Sequence, residues 1–341
     1  MRLVANTIQA FEGAPLPDLV RRAAVDLLVA NARRQLAGAP ADAQARFALE
    51  MAQRPIAEHT AEANGQHYEL PAAFFEAVLG PQLKYSCCLY DGAATLEAAE
   101  EQALAQTAAH ADLKDGQQIL ELGCGWGSLS LWMARNLPGA RITSVSNSKS
   151  QGDFIRGRAA AQGLTNLTVI TADMNDFQAE AGAFDRIVSV EMFEHMANWR
   201  GLLAKAKGWL KPDGAMFIHV FTHKSTPYRF DVNDEADWIG QHFFTGGVMP
   251  SHDLMREFPD LFTVEADWRW SGTHYEKTAN HWLANYDRNA AVIGPVLRAV
   301  YGDQAVLWRR RWRLFFLATA GLFGHRDGAE WGVSHYRLRP A

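Results

Sequence analysis

The sequence has little of what would fix its setting at a glance. Only three cysteines occur among 341 residues, two of them adjacent as Cys87-Cys88 and none in a C-x-x-C pair. This excludes a disulfide framework and a zinc knuckle, no metal ligand set is expected, and a reducing cytoplasm fits best. Neither sign of charge dominates: 33 basic and 38 acidic side chains leave a net charge of -5, so nucleic acid is not an expected partner. No apolar run reaches the ~20 residues of a membrane span, and the longest, 314–323, is about half that length. Residues 1–10 lack an apolar h-region, so no signal peptide is expected. A fixed-period repeat is also missing, which excludes a solenoid.

What is present is core. An apolar fraction of 48% suffices for a large buried interior, and the length suggests two domains or one elaborated domain. Residues 16–36 carry apolar positions at helical spacing, and an Ala/Gly/Pro/Asp stretch at 37–43 ends the pattern. The segment 309–316, rich in arginine and aromatics, reads first as a helix with a cationic outer face and a core-facing aromatic stripe. An interfacial helix is the second reading, so peripheral membrane contact stays open. From about residue 115 short apolar runs alternate with helical segments. Strands are expected at 118–122, 141–145, 167–171, 185–190 and 215–221, with helices near 128–136, 150–162 and 199–210. Such alternation implies a parallel sheet covered on both faces.

In an open α/β sheet the first strand-to-helix turn holds the ligand-binding glycines. Here it reads Glu121-Leu122-Gly123-Cys124-Gly125-Trp126-Gly127. A dinucleotide fingerprint counted from Gly123 would place its last glycine or alanine at Ser128, which argues against NAD. The arrangement resembles instead the first motif of class I methyltransferases that use S-adenosylmethionine. Cys124 inside the turn reads as a packing thiol. In that class a carboxylate after strand 3 accepts from the adenine amino group, which would be Asp173. After strand 2 the class has an acid for the ribose, whereas this chain has Ser146-Asn147-Ser148-Lys149-Ser150-Gln151, whose amides can bond a diol without charge.

These and further signposts resemble the cyclopropane fatty acid synthase superfamily, which includes the coclaurine N-methyltransferases. They are His67-Tyr68, Tyr85-Ser86-Cys87-Cys88, Ser148-Lys149-Ser150-Gln151, Phe193-Glu194-His195, Phe244-Thr245-Gly246-Gly247 and His274-Tyr275-Glu276-Lys277-Thr278. The resemblance implies an α/β, Rossmann-like class I methyltransferase fold with a doubly wound, mostly parallel sheet. It implies a helical extension over 1–80, a cofactor-binding core over 81–227, and a substrate-cover insertion with completing elements over 228–341. Tyr85, Ser86, Glu121, Gly123, Gly125, Gly127, Asn147, Gln151 and Asp173 are then expected around S-adenosylmethionine.

Methyl transfer from a sulfonium needs positioning and a destination for a proton. Glu191, Glu194 and His195 follow strand 4, and if that segment is helical Glu191 shares a face with the other two. The expected enzyme is a methyltransferase acting on a small, mostly apolar acceptor, an amine by first reading, with the two glutamates holding its charge and His195 taking the proton. Their structural alternative is charge at a helix N-terminus. The second reading is a cyclopropane synthase acting on an unsaturated lipid chain. There the resemblance implies a bound bicarbonate at Cys87, Glu194, His219 and Tyr275. Glu191 stands where the synthases have glycine and would crowd that ion. Cys87 and Tyr275 also admit plain packing roles. A third reading, of another class, is a catalytically silent protein that binds S-adenosylmethionine. Trp238, Phe243 and Phe244 are expected either to stack on the acceptor or to fill the core of its cover. The oligomeric state and the acceptor's identity are not legible.

Overall fold

The computed structural model describes residues 12, 14, 16–58, 70–231, 233 and 237–341; the His67-Tyr68 signpost lies outside them. Four helices precede the sheet: α1 (Asp18–Ala37), α2 (Ala43–Met51), α3 (Ala72–Val78) and α4 (Leu96–His110). Strands β1 (Gln118–Leu122), β2 (Arg141–Ser146), β3 (Leu167–Thr171), β4 (Phe184–Val190) and β5 (Leu210–His223) follow, with α5 (Ser128–Asn136), α6 (Lys149–Ala161) and α7 (Trp199–Trp209) between them. The short strands β6 (Tyr228–Arg229) and β7 (Val248–Met249) flank α8 (Trp238–His242). The chain ends with β8 (Phe262–Ser271), α9 (Gly272–Arg288), α10 (Ala290–Tyr301), α11 (Ala305–Gly328) and β9 (Trp331–Pro340).

The main sheet has seven strands in the order β3-β2-β1-β4-β5-β9-β8. Strands β1 to β5 pair in parallel, and β9 runs antiparallel between β5 and β8. The first five match the apolar runs in the sequence, with β5 beginning at Leu210, five residues before the expected 215. The parallel core is continuously apolar because both faces are covered: Ile119, Leu120 and Leu122 of β1 are fully buried. Strand β9 gave no such signal, since the central positions Ser334 and His335 are polar. Their side chains are bonded instead, Ser334 to Thr222 at 2.7 Å and His335 to His219 at 2.9 Å, which removes the desolvation cost of burying them.

Sheet order reverses between β1 and β4, so their carboxyl ends splay apart and open a crevice. Helix α6 is entered through Ser148, whose hydroxyl accepts from the Gln151 amide at 3.4 Å, and α7 through Asn198, which accepts from Gly201 at 2.9 Å. Over the far end of the sheet α9 and α11 pack together, with Tyr275 stacked on Phe323 at 4.4 Å. Helix α1 lies on α11 and buries Arg21, Val25 and Val29. The arginine-aromatic segment 309–316 is part of this packing: Trp312 and Phe316 are fully buried, and Phe315 stacks on Phe243 at 4.5 Å. Arg311 pairs with Glu12, and Arg313 with Asp18 and Asp287. Among the described residues no helix is long and apolar enough to cross a membrane.

Candidate active site

The crevice contains a cavity whose wall includes Tyr85, Ser86, Glu121, Gly123, Gly125, Asn147, Gln151 and Asp173. The glycine turn shapes its floor. Gly123, Gly125 and Gly127 all have positive φ, at 81°, 49° and 83°, where a side chain is strained. A Cβ on Gly123 would lie 2.5 Å from the Met192 side chain, whereas one on Gly125 would meet no atom within 4 Å and point into open space. Gly125 therefore leaves room for a ligand against the backbone. Gly127 differs from the expectation that it lies around the cofactor: it is off the wall, and a Cβ there would strike Ile155 of α6 at 2.7 Å, so its smallness serves helix packing.

Polar groups around the cavity are half-satisfied in a way that suits a ligand. Gln151 is buried, its carbonyl oxygen accepts from Ser146 at 2.8 Å, and its amide nitrogen has no partner among the described residues. Such a donor calls for an acceptor such as a ribose hydroxyl. Asp173 accepts from the Asn175 amide at 2.8 Å and faces the cavity. The Glu121 carboxylate is tied to the Ser130 and Ser144 hydroxyls, and burial raises its pKa.

At the exit of β4 the chain does not continue as a helix. Glu191 takes a left-handed conformation with φ 46°, and only Phe193–His195 forms a single 3-10 turn. The shared helical face of Glu191, Glu194 and His195 is thus not formed. Glu191 and His195 reach the cavity wall, while Glu194 is buried and not part of it. The Glu191 carboxylate accepts from the Cys87 backbone amide at 2.9 Å and from the Tyr275 hydroxyl at 2.6 Å, and it stands 3.2 Å from Nε2 of His219. Cys87, His219 and Tyr275 therefore converge as the resemblance implied, with a carboxylate at their focus. None of the three reaches the cavity itself.

Burial raises the Glu191 pKa, opposed by the charge of Lys84 and the hydrogen bonds from Cys87 and Tyr275. Burial and repulsion from Glu191 push Glu194 much higher, and neither of its carboxyl oxygens has a partner among the described residues. Of the two, ionisation is the more strongly disfavoured at Glu194, which lacks the hydrogen bonds and the nearby lysine that oppose burial at Glu191. Burial lowers His195 to about 4, so its ring is neutral near pH 7. The ring lies 4.4 Å from that of Phe244, which in turn meets Phe221 at 5.4 Å and Phe230 at 4.9 Å. Of the expected cover aromatics, Phe244 stands beside His195, whereas Phe243 is packed against Phe315 and Trp312 and Trp238 against Phe243.

Lys84 was not anticipated, although it adjoins the Tyr85-Ser86 signpost. Its buried ammonium donates to the Ser86 hydroxyl at 2.5 Å and the Cys87 carbonyl at 2.7 Å, fixing the loop that presents both residues. Met192 and Trp126, also on the wall, had no sequence signal beyond their neighbours.

Comparison with known proteins places this geometry. Residues 57–328 match the family model described as mycolic acid cyclopropane synthetase. The chain is 36% identical over 289 residues to (S)-coclaurine N-methyltransferase of Thalictrum flavum subsp. glaucum, covering 83% of this chain and 80% of the relative. It is 31% identical to the cyclopropane-fatty-acyl-phospholipid synthase of Escherichia coli strain K12, covering 79% and 66%. A crystal structure of coclaurine N-methyltransferase bound to N-methylheliamine and SAH superposes with a TM-score of 0.92 at 31% identity, covering 99% of both chains.

Proposed function

Since this chain belongs to the mycolic acid cyclopropane synthetase family and is an S-adenosylmethionine-dependent methyltransferase, we propose that its acceptor is a small, mostly apolar amine. One observation carries the choice: the Glu191 carboxylate occupies the focus of Cys87, His219 and Tyr275 and presents its charge at the cavity wall. An ammonium group is the natural partner of that charge, and the apolar wall residues Met192, Met196 and Trp126 suit an apolar body.

When bound, the cofactor supplies an electrophilic methyl group. Gly123 and Gly125 would admit its backbone-hugging portion, Gln151 and Asn147 its ribose, and Asp173 its adenine. Glu191 pairs with the acceptor ammonium and takes its proton, which frees the nitrogen lone pair for in-line attack. His195 was the expected proton acceptor from sequence, but burial depresses its basicity while raising that of Glu191. The neutral imidazole accepts a hydrogen bond from the acceptor nitrogen and orients it. Phe244 braces that ring.

The second reading, lipid-chain methylation with bicarbonate as base, is favoured by the presence of Cys87, Glu194, His219 and Tyr275 together. It is opposed by the Glu191 carboxylate, which already satisfies the donors such an ion would use. Product mass spectrometry with methyl-labelled donor, run in parallel on cyclic secondary amines and on unsaturated phospholipid vesicles with and without bicarbonate, tests the choice. Labelled amine independent of bicarbonate is expected. Label appearing only in lipid, and only with bicarbonate, overturns the proposal.

A further inference from the structure

We propose that Glu191, His219, His335 and His110 form a proton-exit relay that carries the proton released by each methyl transfer from the active site to solvent beside Gln106. The proposal rests on the reading of Glu191 as base.

The contacts run in series. Nε2 of His219 lies 3.2 Å from the Glu191 carboxylate, Nδ1 of His219 2.9 Å from Nε2 of His335, and Nδ1 of His335 2.8 Å from Nδ1 of His110. Nε2 of His110 then lies 2.6 Å from the side-chain amide of Gln106, one helical turn earlier on α4. The secondary structure fixes this order. His219 and His335 are register partners across the β5–β9 ladder, so their side chains share a face, and the last turn of α4 brings His110 to the next position. Burial falls off outward: His219 and His335 are fully buried, His110 is 9% exposed, and Gln106 is half-exposed. The three rings are not gathered around a point as metal ligands would be, and among the described residues no such group exists.

A route of this kind answers a need of the chemistry. An ammonium acceptor gives up one proton before attack, and the methylated product is again an ammonium, so one proton per turnover stays on the base. With donor and acceptor filling the cavity, the Glu191 carboxylate has two other hydrogen bonds among the described residues, and neither continues. The Cys87 amide is a backbone donor, and the Tyr275 hydroxyl ends in a stack with Phe323. His219 alone of the three leads onward.

Each ring accepts on one nitrogen and gives from the other. The proton leaves Glu191 for Nε2 of His219 as Nδ1 of His219 gives its own to Nε2 of His335. Nδ1 of His335 gives to Nδ1 of His110, and Nε2 of His110 gives to water or to the turned Gln106 amide oxygen. One N–H bond forms and one breaks on every ring, each ring ends neutral, and one proton leaves. Ring turns restore the first tautomers before the next cycle. Burial, with the charges of Lys84 and Arg337 nearby, disfavours a resident imidazolium, which keeps the rings neutral between transfers.

Two variants test the relay without touching the cavity wall. His335→Gln can still hydrogen-bond to both neighbours but cannot pass a proton; His110→Phe keeps a ring against Trp268, on which His110 stacks at 3.7 Å, and cuts the exit. In dilute buffer both should lose steady-state turnover on the order of tenfold. The single-turnover rate of methyl transfer should be unchanged, and added imidazole should restore turnover in His110→Phe. Steady-state rates equal to the parent in dilute buffer, or a loss that appears equally in single turnover, overturn the relay. Should His335→Gln fail to fold, His110→Phe decides alone. Glu191→Gln separates the two ideas: if it keeps its single-turnover rate, the base reading fails, and if it loses that rate while both relay variants turn over normally, the relay alone fails.

Discussion

Replacing Glu191 by glycine removes a carboxylate that three groups address: the Cys87 amide at 2.9 Å, Nε2 of His219 at 3.2 Å and the Tyr275 hydroxyl at 2.6 Å. Two of these, the Cys87 amide and the Tyr275 hydroxyl, are donors in every state, and a buried donor left without an acceptor costs about 1–2 kcal/mol, so the two cost about 2–4 kcal/mol. Glycine also relieves the left-handed backbone at this position, φ 46°, which returns about 1–2 kcal/mol. The net loss of roughly 1–2 kcal/mol corresponds to a fall in Tm on the order of 2–5 °C. Bicarbonate has the shape and charge to occupy the vacated focus, so tens of millimolar bicarbonate should recover part of that Tm and raise the residual methyl-transfer rate. The isosteric Glu191→Gln keeps the volume but loses the charge, and turnover should fall ~100-fold or more, as for other lost general bases. Thermal unfolding of the parent and both variants, with bicarbonate or chloride at equal ionic strength, measures the first effect, and turnover of a labelled donor the second. A glycine variant as stable as the parent and indifferent to bicarbonate would refute the view that these donors hold the carboxylate. Full turnover in Glu191→Gln would remove it from the proton step.

Three further outcomes follow from the geometry. His195→Ala should lower kcat/KM for the amine by roughly 10–100-fold while calorimetry finds the affinity for S-adenosylhomocysteine nearly unchanged; equal losses in both would mean that the ring supports the cofactor instead. Gln151→Ala removes the unpartnered amide donor and should weaken cofactor binding by about 1 kcal/mol, near fivefold in Kd, with kcat at saturation preserved. Burial holds the His335 pKa far below 6.5, so the unfolded chain takes up a proton there that the native one does not. Its contribution to stability is therefore complete above pH ~6.5 and is lost as pH falls below that value. His335→Gln should flatten the decline in unfolding free energy between pH 6 and 5 by as much as about 1.4 kcal/mol per pH unit, and parallel denaturant curves for variant and parent would contradict this.

The parallel half of the fold was legible because burial on both faces demands uninterrupted apolar runs, as in Ile119 to Leu122, and because only glycine tolerates the turn that follows. Strand β8 was not, since it lies at the sheet edge and its residues between the buried Phe262 and Trp270 are exposed or half-buried without a regular alternation. Strand β9 was hidden for the opposite reason: it is buried, yet its Ser334 and His335 find their partners on β5 and α4, which no local pattern reveals. The same distinction runs through the site. Glu191, Cys87, His219 and Tyr275 come from four separated segments, and only the resemblance to a family tied them together. That Glu194 would lie off the cavity wall was not legible, because the segment after β4 forms only a short 3-10 turn and not the helix its spacing allowed. Lys84 was invisible because a lone lysine in sequence is nearly always a solvated one.

The charge arrangement around Glu191 explains why one carboxylate at the wall suits this chemistry better than two. A sulfonium and an ammonium must be brought within reach of each other, and each repels the other until the ammonium gives up its proton. A second ionised carboxylate would hold that ammonium more tightly and raise its pKa, which works against deprotonation. At Glu194 burial and the charge of Glu191 both disfavour ionisation. Lys84 acts in the same direction, since its positive charge favours ionised Glu191 in the resting site and opposes a second cation there. Once the proton has passed to Glu191, the acceptor and the carboxyl group are both neutral and the sulfonium faces a free lone pair. Substituting Glu194 by glutamine should then leave turnover near that of the parent, because burial and the neighbouring carboxylate already oppose a charge there. A loss as large as that of Glu191→Gln, measured at saturating donor and amine, would mean that Glu194 carries charge during the reaction and that the division of roles drawn here is wrong.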